Sequence, residues 1–205
     1  MQLKFETAIA KPSTAQGWWQ RCSPCLWCLS NLSLAIGYIA LLFYSLVWGA
    51  GDIVNLPTKR IGFYNFCLWD QETEKLHCLK PKELEKMGIS LNVLVLSRFF
   101  VYTMPVLGLF VGTMVLQALC LKDRAVWKLA GFVLLICDLI LPVGLALFLF
   151  HLQQWIHFSE FGEVFTMLLG AHILLLFHVI IIAVYLAYFK ETLPRRQLYS
   201  ERSIP

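Results

Sequence analysis

The stretch 129-LAGFVLLICDLILPVGLALFLF-150 runs for 22 residues with a single charge, Asp138. A soluble helix needs a polar face, and this segment has none. Its length matches the roughly 20 apolar residues that cross a hydrocarbon core as a helix with every backbone polar group satisfied internally. Three further stretches share the pattern. Residues 26–48 carry no charge, residues 99–121 follow Arg98, and residues 164–189 contain only His172 and His178 as ionisable groups besides Tyr and the closing aromatic run. The expected fold is therefore an all-α membrane protein, a bundle of four transmembrane helices.

The rest of the composition agrees. Hydrophobic residues make up 59% of the 205 and charged ones 15%, with a mean hydropathy of +0.67. The net charge of +4 is small and its basic residues are scattered, which argues against a nucleic-acid partner. The bilayer is the expected partner instead. Val47-Trp48-Gly49-Ala50 is a poor signal-peptidase site because Trp48 stands where a small residue is needed, so the first span reads as an uncleaved anchor. Pro105 and Pro142 fall inside the second and third spans, where membrane helices tolerate proline and bend at it.

Basic residues in the short flanks set the orientation. Segments 1–25, 122–128 and 190–205 hold ten Lys and Arg against four Asp and Glu, whereas segments 49–98 and 151–163 hold seven against eight. Both termini are expected in the cytosol, with a long first loop (49–98) and a short second one (151–163) outside, in the plasma membrane rather than an internal one.

On that topology Cys67 and Cys78 are the two cysteines on the oxidising side, and they are expected to pair, with two free thiols as the alternative. Cys22, Cys25, Cys28 and Cys120 fall at the cytosolic membrane face. The C-x-x-C-x-x-C run has ligand-like spacing but enters a membrane helix, with Cys120 the one fourth candidate, so neither a metal nor another cofactor is expected. Juxtamembrane cysteines are acceptors for S-palmitoylation, which is the reading set against unmodified thiols.

The first loop carries the most informative local sequence, 61-IGFYNFCLW-69, followed by a polar turn at 70–75. Aromatic and β-branched residues around a turn predict a disulfide-tied β-hairpin or small sheet. Residues 82–87 predict a short helical turn.

These residues resemble the claudin and peripheral myelin protein superfamily. Trp48 stands at the end of the first span, Gly62-Phe63-Tyr64 takes the place of a Gly-Leu-Trp motif, Cys67 and Cys78 follow, and Arg98 stands where the loop meets the second span. With Leu56-Pro57 upstream and Glu83-Leu84-Glu85 downstream, the loop is more closely similar to the transmembrane protein 140 family. The resemblance implies cytosolic termini and a claudin-like fold around the loop. It also has departures. Tyr64 replaces Trp, the second loop is short for a claudin, and the chain ends in Pro205 rather than a small aliphatic residue suited to PDZ scaffolds.

Inside the membrane, Asp138 is the one acid. Nine residues of helical rise place it about 14 Å from the inner boundary, and eleven place His178 at about 16 Å, so the two are expected to meet between the third and fourth helices. Gly108 and Gly112 form G-x-x-x-G, read chiefly as close packing within the chain and secondarily as a dimer contact. H-E-x-x-H, G-x-S-x-G and P-loop patterns are all missing from the sequence, and no enzyme is expected. The leading function is a non-catalytic membrane organiser or binding module acting through the first loop on other membrane proteins, with a second copy as a further candidate partner. A paracellular barrier is one alternative. A proton-linked transporter or channel subunit using Asp138 and His178 is the other.

Overall fold

The computed structural model describes residues 14–71, 74–121 and 123–201, with side chains over 26–71, 74–121 and 123–187. Four helices are long and apolar enough to cross a membrane, with spans Leu26–Trp48, Leu91–Leu121, Arg124–His151 and Glu163–Ala187. They belong to α1 (Thr14–Phe43, continued by a π-helical turn Tyr44–Trp48), α3 (Leu91–Leu121), α4 (Arg124–His151) and α5 (Glu163–Glu201). The protein is an integral membrane protein. The second of these helices begins at Leu91, eight residues before the apolar run at 99, and continues through Pro105, as α4 continues through Pro142.

Helical period explains the bundle. On α1 the residues Asn31, Ala35, Tyr38, Leu42 and Ser45 recur at three- and four-residue steps and are all buried. The corresponding stripe on α5 is Leu168, Ala171, Leu175, His178 and Ile182, and on α4 it is Ala130, Leu134, Cys137, Leu141 and Phe148. Between the stripes, Ile36, Phe132, Leu139 and Ile180 remain exposed, as expected of side chains facing lipid. The helices pack in the cyclic order α1–α3–α4–α5, with α3 against α4 the most extensive seam. There Ser97 Oγ donates to the carbonyl of Gly144 at 2.8 Å, and a Cβ at residue 144 would lie 2.8 Å from Val101 Cγ2. Gly144 is what lets these two backbones approach.

Gly108 and Gly112 also serve packing within the chain. Both face α1, where Tyr38 and Ile39 fill the space a side chain would take. At the turn between α3 and α4, Asp123 accepts from Ala125 N at 2.8 Å and caps α4.

The segments between α1 and α3 and between α4 and α5 emerge at the same end of the bundle. The first forms a four-stranded antiparallel sheet in sequence order, β1 (Asp52–Leu56), β2 (Lys59–Gly62), β3 (Phe66–Asp70) and β4 (Lys75–Cys78), followed by α2 (Pro81–Lys86). The expected hairpin is β3–β4, and β1 and β2 extend it into a sheet. Cys67 and Cys78 stand directly opposite each other on β3 and β4 and form the disulfide. Glu83 accepts from Lys80 N at 2.7 Å to start α2, and Gly88 at φ +80° ends it, letting Ile89 N reach the Leu84 carbonyl.

Candidate functional site

Sheet parity divides the first loop into two faces. Val54, Ile61 and Phe66 share one face because residues paired directly across strands point the same way, and all three are buried. The alternate positions, Arg60, Cys67, Cys78, Trp69 and Leu76, share the other. Trp69 and Leu76 pair across β3 and β4 and are 46% and 38% exposed.

The buried face is clamped to the helices by the motif residues. Between β2 and β3 the chain leaves the sheet at 63–65, where Gly62 N donates to the Asn65 carbonyl at 2.7 Å. Phe63 drops into the bundle end, fully buried, with its ring 4.6 Å from Phe148 of α4 and edge-on to Tyr102 of α3. Arg98 of α3 donates its Nε–H to the Phe63 carbonyl and lays its guanidinium 4.8 Å from the Tyr64 ring centre. Tyr64 itself leans on Tyr102 at 5.1 Å. So Gly62, Phe63, Tyr64 and Arg98 are brought together as one clamp, while Trp48 lies apart from it, 83% exposed on the π-helical turn.

Sequence reading missed Asp52, which completes the clamp. Its Oδ1 accepts from Asn65 Nδ2 at 3.0 Å and its Oδ2 lies 3.5 Å from Arg60 Nε. A Cβ at residue 62 would stand 2.5 Å from that Oδ1, so glycine is required where the carboxylate closes over β2. The signal available was an acid directly after the Gly49-Ala50-Gly51 run that ends the first span.

The second connection is tied to the same sheet. Gly162 N donates to the Ile53 carbonyl at 2.9 Å, and Lys59 Nζ meets Glu160 at 2.6 Å. The backbone N–H of His157, and then Lys59, hold the Glu160 carboxyl below its ordinary range. Ser90 N, ahead of α3, donates to His151 Nε2 at the end of α4 at 2.6 Å.

Within the bundle, Asp138 does not meet His178. Its Oδ1 lies 3.2 Å from Nδ1 of His172. The two histidines are six positions apart, which turns them about 120° from each other on α5, so only one can face α4. His178 instead points into the core, fully buried, 5.9 Å from the Tyr38 ring.

A model of the TM140 protein family matches residues 20–194, which include all four membrane spans and the sheet. The chain belongs to that family. In this TM140 member the clamp and the acid–histidine pair both lie inside the matched region.

At the end away from the sheet, Trp27 of α1, Trp127 of α4 and Tyr185 of α5 form an aromatic cluster, with Trp27 stacked on Tyr185 at 4.7 Å. Cys28 and Cys120 are exposed free thiols at that end, and Cys137 is buried. The side chains of Cys22 and Cys25 lie outside the described residues. Among the described residues no group of three or more His, Cys, Asp and Glu is placed to hold a metal.

Proposed function

We propose that this TM140 protein is a non-catalytic membrane organiser or binding module of the claudin-like kind, displaying its sheet on the outside of the plasma membrane with both termini in the cytosol. The observation that carries the reading is the division of the sheet. One face is sealed on the helix ends through Phe63 and Arg98, and the other presents Trp69 beside Leu76, with the Cys67–Cys78 bridge next to them. A rigid face with a partly exposed aromatic–aliphatic pair has the character of a protein-binding anchor. The side of display follows from the excess of Lys and Arg in the segments at the other end of the helices.

The exposed thiols of Cys28 and Cys120 support S-acylation at the cytosolic face. The transporter alternative rests on Asp138, His172 and His178; Asp138 lies against His172 while His178 points into the core away from both, and one acid–histidine pair does not make an ion pathway. The barrier alternative has nothing further in its favour.

The test is site-specific photocrosslinking from position 76 in intact cells expressing the full chain. A discrete adduct with a membrane protein, weakened by Trp69→Ser and unchanged by Val106→Ala on the lipid face of α3, supports the reading. Absence of any adduct from position 76, or one indifferent to Trp69→Ser, counts against it.

A further inference from the structure

Asp138 is the fifteenth residue of the 28-residue α4, and His172 the tenth of the 25-residue span of α5, so their contact lies near mid-membrane. Oδ1 and Nδ1 are buried 3.2 Å apart, at ion-pair distance but without the alignment of a hydrogen bond. Asp138 Oδ2 and His172 Nε2 are not: neither is among the buried atoms, and neither has a hydrogen bond among the described residues. The side chains are 10% and 22% exposed at the α4–α5 seam. Around them the seam is apolar and lipid-facing, with Leu135 and Leu139 on α4 and Leu169 and Ile173 on α5 all exposed.

An acceptor and a ring nitrogen open to hydrocarbon are costly, because lipid offers no hydrogen bond. Such groups ordinarily face a bundle interior or another helix. A partner that relieves them must bring a donor and an acceptor to the same depth. A second copy in the same orientation does so by construction: a two-fold axis along the membrane normal keeps both seams level, and each seam carries both an acid and an imidazole.

We propose that the α4–α5 seam is a self-association surface for a second copy of this chain, centred on Asp138 and His172. In the dimer each His172 Nε2–H donates to Oδ2 of the partner subunit's Asp138, closing a four-membered acid–imidazole ring. The two bonds between subunits form whether the acid–imidazole pair is neutral or ionised, because Nε2–H donates and Oδ2 accepts in both states. The glycines that most often mediate such contacts are not free to do so, since Gly108, Gly112 and Gly170 face α1 and Gly131 faces Ile182 of α5. This surface is separate from the sheet, and its failure would leave the reading of the sheet untouched.

The test is photobleaching step-counting on the fluorophore-labelled full chain in phosphatidylcholine vesicles at high lipid excess. Wild type is expected to show two-step dimers. Asp138→Leu alone and His172→Leu alone should each reduce the dimer fraction about tenfold, the scale of two interhelical hydrogen bonds. Mixing the two variants should recover about a third of the wild-type dimer fraction, because the imidazole of one copy and the acid of the other re-form one of the two bonds; misfolded chains would not complement each other. A monomeric wild type, dimers indifferent to both substitutions, or a mixture no better than either variant alone overturns the proposal.

Discussion

Arg98 of α3 holds the backbone carbonyl of Phe63, thirty-five residues earlier in the chain, while its guanidinium covers Tyr64. One side chain thus fixes the point where the sheet turns down into the bundle. A charge-assisted hydrogen bond at a partly buried carbonyl is worth about 2 kcal/mol, so Arg98→Met should destabilise the fold by that order. Arg98→Lys should recover only part of it, because an ammonium cannot offer a planar fork to both carbonyl and ring. Thermal unfolding in nanodiscs measures both.

Gly62→Ala should be strongly destabilising. The added Cβ would meet Asp52 Oδ1 at 2.5 Å, Asp52 Cα at 2.7 Å and the Gly51 carbonyl at 2.7 Å, and two of these are backbone atoms that cannot swing away. A loss of about 3 kcal/mol is expected, at the upper end of ordinary overpacking. Removing the carboxylate with Asp52→Ala in the same chain should not restore stability, which the same unfolding assay checks.

The Glu160 carboxylate, held first by the His157 N–H and then by Lys59, gives the sheet an acid sensitivity with a definite sign. Glu160 is held below its ordinary range in the folded state, so its contribution to stability is present above the unfolded-state value near 4.3 and is lost as pH falls through the lower folded value. Wild type should be more stable than Glu160→Gln at neutral pH, and the two curves should converge on acidification. Melting temperature as a function of pH for the two proteins measures the difference.

At the most extensive helix seam, Gly144→Leu should prevent α3 and α4 from approaching, since even a Cβ there would lie 3.0 Å from Phe100 Cβ. Ser97→Ala removes one 2.8 Å hydrogen bond and leaves the packing in place, at a cost of about 0.6 kcal/mol. Poor insertion or aggregation of the first variant, with near-normal behaviour of the second, is the expected pattern by fluorescence-detected gel filtration.

The bundle was readable in the sequence because a bilayer demands uninterrupted apolar runs, and residues 129–150 meet that demand without tertiary context. The Cys67–Cys78 bridge was readable because topology left only two cysteines on one side. Depth alone did not identify the partner of Asp138: rise per residue predicts height, but the face a side chain occupies depends on how each helix is rotated in the bundle. That rotation turned His172, not His178, toward α4. Lys59 and Glu160 are 101 residues apart, and no local pattern pairs them. Gly62 stands out in the sequence as a motif glycine, while the reason for it, the Asp52 carboxylate, lies ten residues upstream across a sheet register that includes a bulge.

The central claim is that a disulfide-tied sheet is displayed on the outer side of the membrane. Cysteine labelling in intact cells tests it most directly, using a membrane-impermeant maleimide before and after mild reduction, with Cys67→Ser and Cys78→Ser to assign the signal. The account predicts that Cys67 and Cys78 label only after reduction and without permeabilisation. Labelling that requires permeabilisation would put the sheet on the other side and contradict it.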